Sequence, residues 1–173
     1  MRRRQHIRNA WFPRLNSGVW LTGYFGHANT GIIGDEPVAY LKPEEVATLN
    51  NKSRAGIMIG TTCGLNEMFK PYLTQAQTLH AYLGARLLYD TEGGMAAVLA
   101  PTSISYEVQG GVIADAFAEA VGERRHIGEA VLDGLSALRE HGNTQWLIST
   151  TLLLGDPAMD LRPAWTGTAI ILR

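Results

Sequence analysis

The chain has 173 residues, 46% of them hydrophobic and 18% charged, with a formal net charge of −1 and a pI near 6.5. That length suits one compact domain with its own core, and that composition belongs to a folded, soluble protein rather than a disordered one. The near-neutral charge supplies no basic field for phosphates, no run of about 18 apolar residues is available to span a membrane, and the single Cys63 excludes an internal disulfide framework and any multi-cysteine zinc site.

In chain order, Arg2, Arg3 and Arg4 read as a solvated run at the head of a short leader. His6, Arg8 and Asn9 break up the stretch after it, so no export signal is legible. The apolar runs 19–25, 55–61 and 95–100, punctuated by glycine, have the length and composition of strands buried on both faces. Asp35 and Glu36 read as solvated loop residues after the first of them. Pro43 with Glu44 and Glu45 marks the first turn of a helix that stops near Asn50 and Asn51. Leu79, Tyr82, Leu83 and Leu87 recur at helical spacing, as do Ile113, Phe117 and Val121, and again Ile127, Val131, Leu135 and Leu138. A fourth apolar run, 146–154, leads into Gly155-Asp156-Pro157, where a turn or capping role for Asp156 outweighs a catalytic one.

Strands alternating with helices predict an α/β fold with a mostly parallel sheet, right-handed crossovers and helices on both faces. Residues 1–163 are expected to form the domain and residues 164–173 a trailing segment, either an edge strand or the opening of a further domain. The first strand starts after only a short leader, so a sheet built from this chain alone has few strands, and the sequence reads as a fragment of something larger.

Ligands of open parallel sheets bind outside the carboxyl ends of the strands. The first strand runs into Gly26-His27-Ala28-Asn29 and the second into Thr61-Thr62-Cys63-Gly64. The intervening residues suffice for one crossover, so the strands can be neighbours about 4.8 Å apart with imidazole and thiol on one rim. A thiol becomes a good nucleophile once ionised, which a neighbouring imidazolium promotes. The imidazole can then protonate a leaving amine and deprotonate water. Cys63 as nucleophile and His27 as acid/base form the candidate dyad, and the N–H groups of Cys63 and Ala28 the candidate oxyanion hole. Gly26 and Gly64 permit close approach of a substrate backbone. Thr102, Ser103 and Tyr106 follow the third strand and can wall a substrate cleft or serve as an ordinary loop. By residue type alone, a buried filler cysteine and a hydrogen-bonded core or surface histidine are the commoner readings.

Five segments together resemble the gingipain family of cysteine peptidases. The run 18–27, ending Tyr24-Phe25-Gly26-His27, is similar to that family's apolar strand closing on Gly-His-Gly. The run from Ala55 to Cys63, with Gly64 and then Phe69, is similar to its nucleophile strand. Glu92 to Thr102 resembles its Gly-Ala-Val-Ala strand, Ile127-Gly128-Glu129-Ala130 its Gly-Glu-Ala helix start, and Leu153-Leu154-Gly155-Asp156-Pro157 its closing Leu-Gly-Asp-Pro turn. All five stand in the family's order. The resemblance implies a caspase/gingipain-like three-layer sandwich, a Cys/His dyad, cleavage of peptide bonds in a peptide or protein substrate, and an extracellular or cell-envelope setting. It also implies that the family's N-terminal strands, which carry the carboxylate that orients the histidine and the acidic group of the primary pocket, would lie before residue 1. That missing part, or another chain, becomes an expected partner. Ala28 departs from the family's glycine, keeping the N–H but restricting the backbone wherever a positive φ is needed.

No cofactor or metal is expected: His6, His80, His126 and His141 show no ligand spacing with one another or with Cys63, and the calcium sites of such relatives map onto no particular residues. Two other readings are open on sequence grounds. One is an inactive, truncated peptidase-like module serving in structure or interaction; the other is a small-molecule-binding α/β domain. Against the second stands the lack of a glycine-rich phosphate loop after the first strand.

Overall fold

The structure is a computed structural model and describes residues 2–68, 72–73, 79–80, 82–123, 125–142, 144–160 and 168–172. Its elements begin with α1 (Arg2–Ser17), β1 (Val19–Phe25), β2 (Ile33–Asp35), β3 (Val38–Leu41), α2 (Pro43–Val46) and β4 (Gly56–Thr61). They continue with β5 (Tyr72–Leu73), β6 (Leu79–His80), α3 (Leu83–Tyr89), β7 (Met95–Pro101), α4 (Glu107–Glu123), α5 (Ile127–Glu140), α6 (Gln145–Thr150), β8 (Thr151–Leu154) and β9 (Thr168–Leu172).

Five strands form the main sheet in the order β8-β7-β4-β1-β9. β7, β4, β1 and β9 run parallel, and β8 closes one edge antiparallel to β7. All six residues of the central β4 are buried, as its near-continuous apolar sequence requires of a strand covered on both faces. Successive side chains of a strand point to opposite faces, which divides the core in two. Met58, Val98 and Ala100 join Trp11, Leu15, Leu83 and Leu87 on one face. Ile57, Ile59, Ala97 and Leu99 join Ile113, Phe117, Ile127 and Leu138 on the other. Helices therefore cover both faces in three layers, the α/β arrangement that the alternating pattern predicts.

Several local expectations give way. The N-terminal segment is no solvated leader: Arg2 opens a 16-residue helix that buries Trp11 and Leu15 to 1% exposure. Five arginines and Pro13 in that helix obscure its apolar stripe, and tertiary burial of two large side chains supplies what propensity does not. The side chains of residues 2–4 lie outside the described residues. The stripe expected from Leu79 begins at Leu83, because residues 79–80 pair with residues 72–73 in a small antiparallel ribbon. The run 146–154 is part helix and part strand. Thr150 and Thr151 hydroxyls donate to the carbonyls of Trp146 and Leu147 at 2.9 and 2.8 Å, closing α6 just before β8. Of the trailing segment, residues 168–172 form the edge strand β9 beside β1; 164–167, 173 and Phe69 lie outside the described residues. At the Leu-Gly-Asp-Pro turn, exposed Asp156 accepts the Ala158 N–H through its side chain at 2.8 Å, the Asx turn that its sequence favours.

Candidate active site

β1 and β4 are parallel neighbours, and their pairing runs to Phe25 opposite Thr61. His27 and Cys63 each follow two residues later, so both loops leave the same carboxyl edge at the same level. β7 lies on the far side of β4 and sends residues 102–106 off that edge too. Thr61 donates its hydroxyl to the Tyr24 carbonyl at 3.2 Å, fastening the two strand ends just below the loops.

The Cys63 loop is a tight turn held from three directions. Asn66, wholly buried, donates its backbone N–H to the Pro101 carbonyl at 3.2 Å. Its side-chain Nδ2 lies 3.3 Å from the carbonyls of Val98 and Ala100 and 3.0 Å from that of Leu152. At the start of α3 the N–H groups of Leu83 and Gly84 donate to the carbonyls of Thr30 and Leu65 at 2.8 and 3.2 Å, joining the histidine and cysteine loops to one helix. Gly64 has φ +58°, the left-handed region that favours glycine, and its N–H donates to the Ser103 carbonyl at 2.9 Å. The half-buried Cys63 points its Sγ at the Ser105 carbonyl, 3.6 Å away.

The His27 loop is held through its backbone. Its carbonyl accepts from Tyr24 Oη at 2.6 Å and from the Gly34 N–H at 2.8 Å. Ala28 then pairs with Ile33 in an antiparallel bridge, a β-paired geometry open to any L-residue, so alanine serves where the resemblance predicts glycine. The His27 side chain is exposed and makes no hydrogen bond among the described residues.

Between the loops lies a cleft of about 250 Å³ lined by Ala28, Asn29, Cys63, Gly64, Glu67, Ser103 and Ile104. Four of the predicted site residues, Ala28, Cys63, Gly64 and Ser103, therefore share one cavity. Thr102 instead turns to α6, its N–H and hydroxyl both donating to the Thr150 carbonyl at 2.7 and 3.0 Å. Tyr106 stacks edge-on against Trp146 at 5.8 Å between ring centroids, and the exposed Gly26 faces the hydroxyl of Tyr24. Glu67 and Ile104 were not legible as cleft residues. Glu67 accepts from the Thr30 hydroxyl at 3.2 Å, a cross-loop link that sequence separation hides. Among the described residues no group of three or more His, Cys, Asp or Glu side chains is placed to hold a metal ion, and no helix is long and apolar enough to cross a membrane.

The model of peptidase family C25 matches residues 1–162. The chain belongs to peptidase family C25. Its fold is similar to that of the Arg-specific cysteine proteinase gingipain R (RgpB), with a TM-score of 0.74 at 19% identity over 90% of this chain and 36% of that one. The complex of Porphyromonas gingivalis RgpB pro- and mature domains gives 0.72 at 18% identity, over 90% and 36%. A further protease structure gives 0.70 at 17% identity, over 86% and 37%. No curated protein sequence matches. This C25 chain thus spans little more than a third of the solved chains that it resembles, and at these identities the likeness establishes the caspase-like α/β fold.

Proposed function

We propose that the chain is a cysteine endopeptidase module in which Cys63 is the nucleophile and His27 the acid/base. The observation that carries the reading is the β1–β4 register, which releases the Gly-His and Cys-Gly loops side by side from one sheet edge, within a chain of a peptidase family. Cys63 lines an open cleft and is only half-buried, which favours chemistry over the filler reading. The Cys63 sulfur, as thiolate, attacks a peptide carbonyl carbon; a C–S bond forms and the carbonyl electron pair moves onto oxygen. The N–H groups of Cys63 and Ala28 receive that oxyanion. His27 gives its proton to the departing amine as the C–N bond breaks, then takes one from the water that hydrolyses the thioester. Gly26 and Gly64 let the substrate backbone come close, and Ser103, with Thr102 and Tyr106 behind it, belongs to the wall of the substrate cleft. A peptide or protein is the substrate. Residues 1–163 form the peptidase-like unit and 164–173 a segment appended to it.

Alkylation by iodoacetamide tests the dyad directly, since Cys63 is the one cysteine in the sequence. At pH 6, well below the free-thiol pKa of about 8.5, an imidazole-activated thiol still reacts and an ordinary one scarcely does. The expected result is a wild-type rate at least about tenfold above that of His27→Ala. Equal, slow rates in both proteins would favour the non-catalytic module.

A further inference from the structure

Tyr24 does something that the dyad does not account for. It is 3% exposed and belongs to the core, yet its hydroxyl turns back under Gly26 to the carbonyl of His27, 2.6 Å away. There is room for this only because residue 26 is glycine: a Cβ there would stand 2.8 Å from the tyrosine oxygen. The ring is held edge-on to Tyr40 at 6.1 Å, so the hydroxyl is fixed in place.

The carbonyl that it holds belongs to the His27–Ala28 peptide. In a trans peptide the C=O and the N–H of the next residue point in opposite directions, so whatever fixes the carbonyl fixes the Ala28 N–H. Gly34 donates to the same oxygen at 2.8 Å, and the Asn29 N–H reaches the Ile32 carbonyl at 3.0 Å. These two bonds bracket the Ala28–Ile33 bridge, leaving Ala28 in the non-hydrogen-bonded position whose N–H faces away from the partner strand. Ala28 lines the cleft together with Cys63. Two donors on a carbonyl also polarise the amide and make its N–H a stronger donor.

We infer that Tyr24 is a positioning residue for the oxyanion hole, aiming and polarising the Ala28 N–H through the His27 carbonyl. The inference rests on the proposed nucleophilic role of Cys63, and the test separates the two. Acetylation of Cys63 by p-nitrophenyl acetate passes through an oxyanion: the thiolate adds to the ester carbonyl, the oxygen takes the electron pair, and its return expels p-nitrophenolate and leaves S-acetylcysteine. Alkylation by iodoacetamide displaces iodide and forms no oxyanion. Their rate ratio therefore reports the oxyanion donor and is insensitive to how far the thiol is ionised.

Tyr24→Phe removes only the hydroxyl. It is expected to slow acetylation about tenfold, the worth of one ordinary hydrogen bond, with alkylation within about twofold of wild type on the same scale; because the ratio of the two rates is read, a general loss of folded protein cancels. An unchanged ratio in Tyr24→Phe overturns the inference, as does a wild-type ratio no higher than that of N-acetylcysteine. If instead the ratio falls as expected but alkylation does not depend on His27, the dyad fails and the positioning role of Tyr24 stands.

Discussion

The side chain of Asn66 is buried, and its amide nitrogen sits among carbonyls from β7 and β8. The loop that carries Cys63 hangs from it. Its oxygen faces Gly84, where a Cβ would come within 1.9 Å, so residue 84 must stay bare for the amide to fit. Asn66→Ala leaves carbonyls of the two strands short of a donor inside the protein. A loss of about 2–3 kcal/mol is expected on urea unfolding, together with slower alkylation of Cys63 at pH 6; a stability within about 0.5 kcal/mol of wild type would show that the clamp is unimportant. Cys63 and His27 were legible as neighbours on one sheet edge because each directly follows an apolar strand. Asn66, Tyr24 and Glu67 were not. Their roles depend on partners such as Val98, Leu152 and Thr30, and ordinary asparagine, tyrosine and glutamate give no sign of which distant carbonyl or hydroxyl they will meet.

At the scale of elements, the site depends on α4 lying close against the end of β4. Gly110 makes that approach possible: a Cβ there would stand 2.3 Å from the Cβ of Thr61, two residues before Cys63. Gly110→Ala forces the helix outward or Thr61 downward. Overpacking of this kind costs about 1–3 kcal/mol, to be read from denaturant unfolding, and an unchanged midpoint would show that the interface yields freely. β1, β4 and β7 were legible because short apolar runs punctuated by glycine have few other solutions. α5 was legible for a different reason: a clean stripe through Ile127 and Leu138 follows a first turn in which Glu129 accepts the His126 N–H at 3.0 Å. α1 was hidden by its arginines and Pro13, and β6 by a leucine spacing that suits a helix equally well. In both places burial or cross-strand pairing, set by the rest of the chain, decides the outcome.

Across the whole molecule, the three layers bring the loops after β1, β4 and β7 to one edge of the sheet, where open α/β folds hold their ligands. The opposing faces, one built on Met58 and Val98 and the other on Ile57 and Leu99, fix the sheet from both sides, so the relative placement of the three loops is a property of the fold and not of any one of them. Membership of peptidase family C25 gives that edge its chemical meaning. The central claim is that the Cys63 thiol and the His27 imidazole meet there, and 1,3-dibromoacetone measures it. The thiolate displaces one bromide and a nitrogen within reach displaces the other, tying the two side chains together. Mass spectrometry of the tryptic digest should find the peptide carrying Cys63 joined to the peptide carrying His27. Cys63 alkylated with its second arm hydrolysed, or bridged to any residue other than His27, would contradict the account.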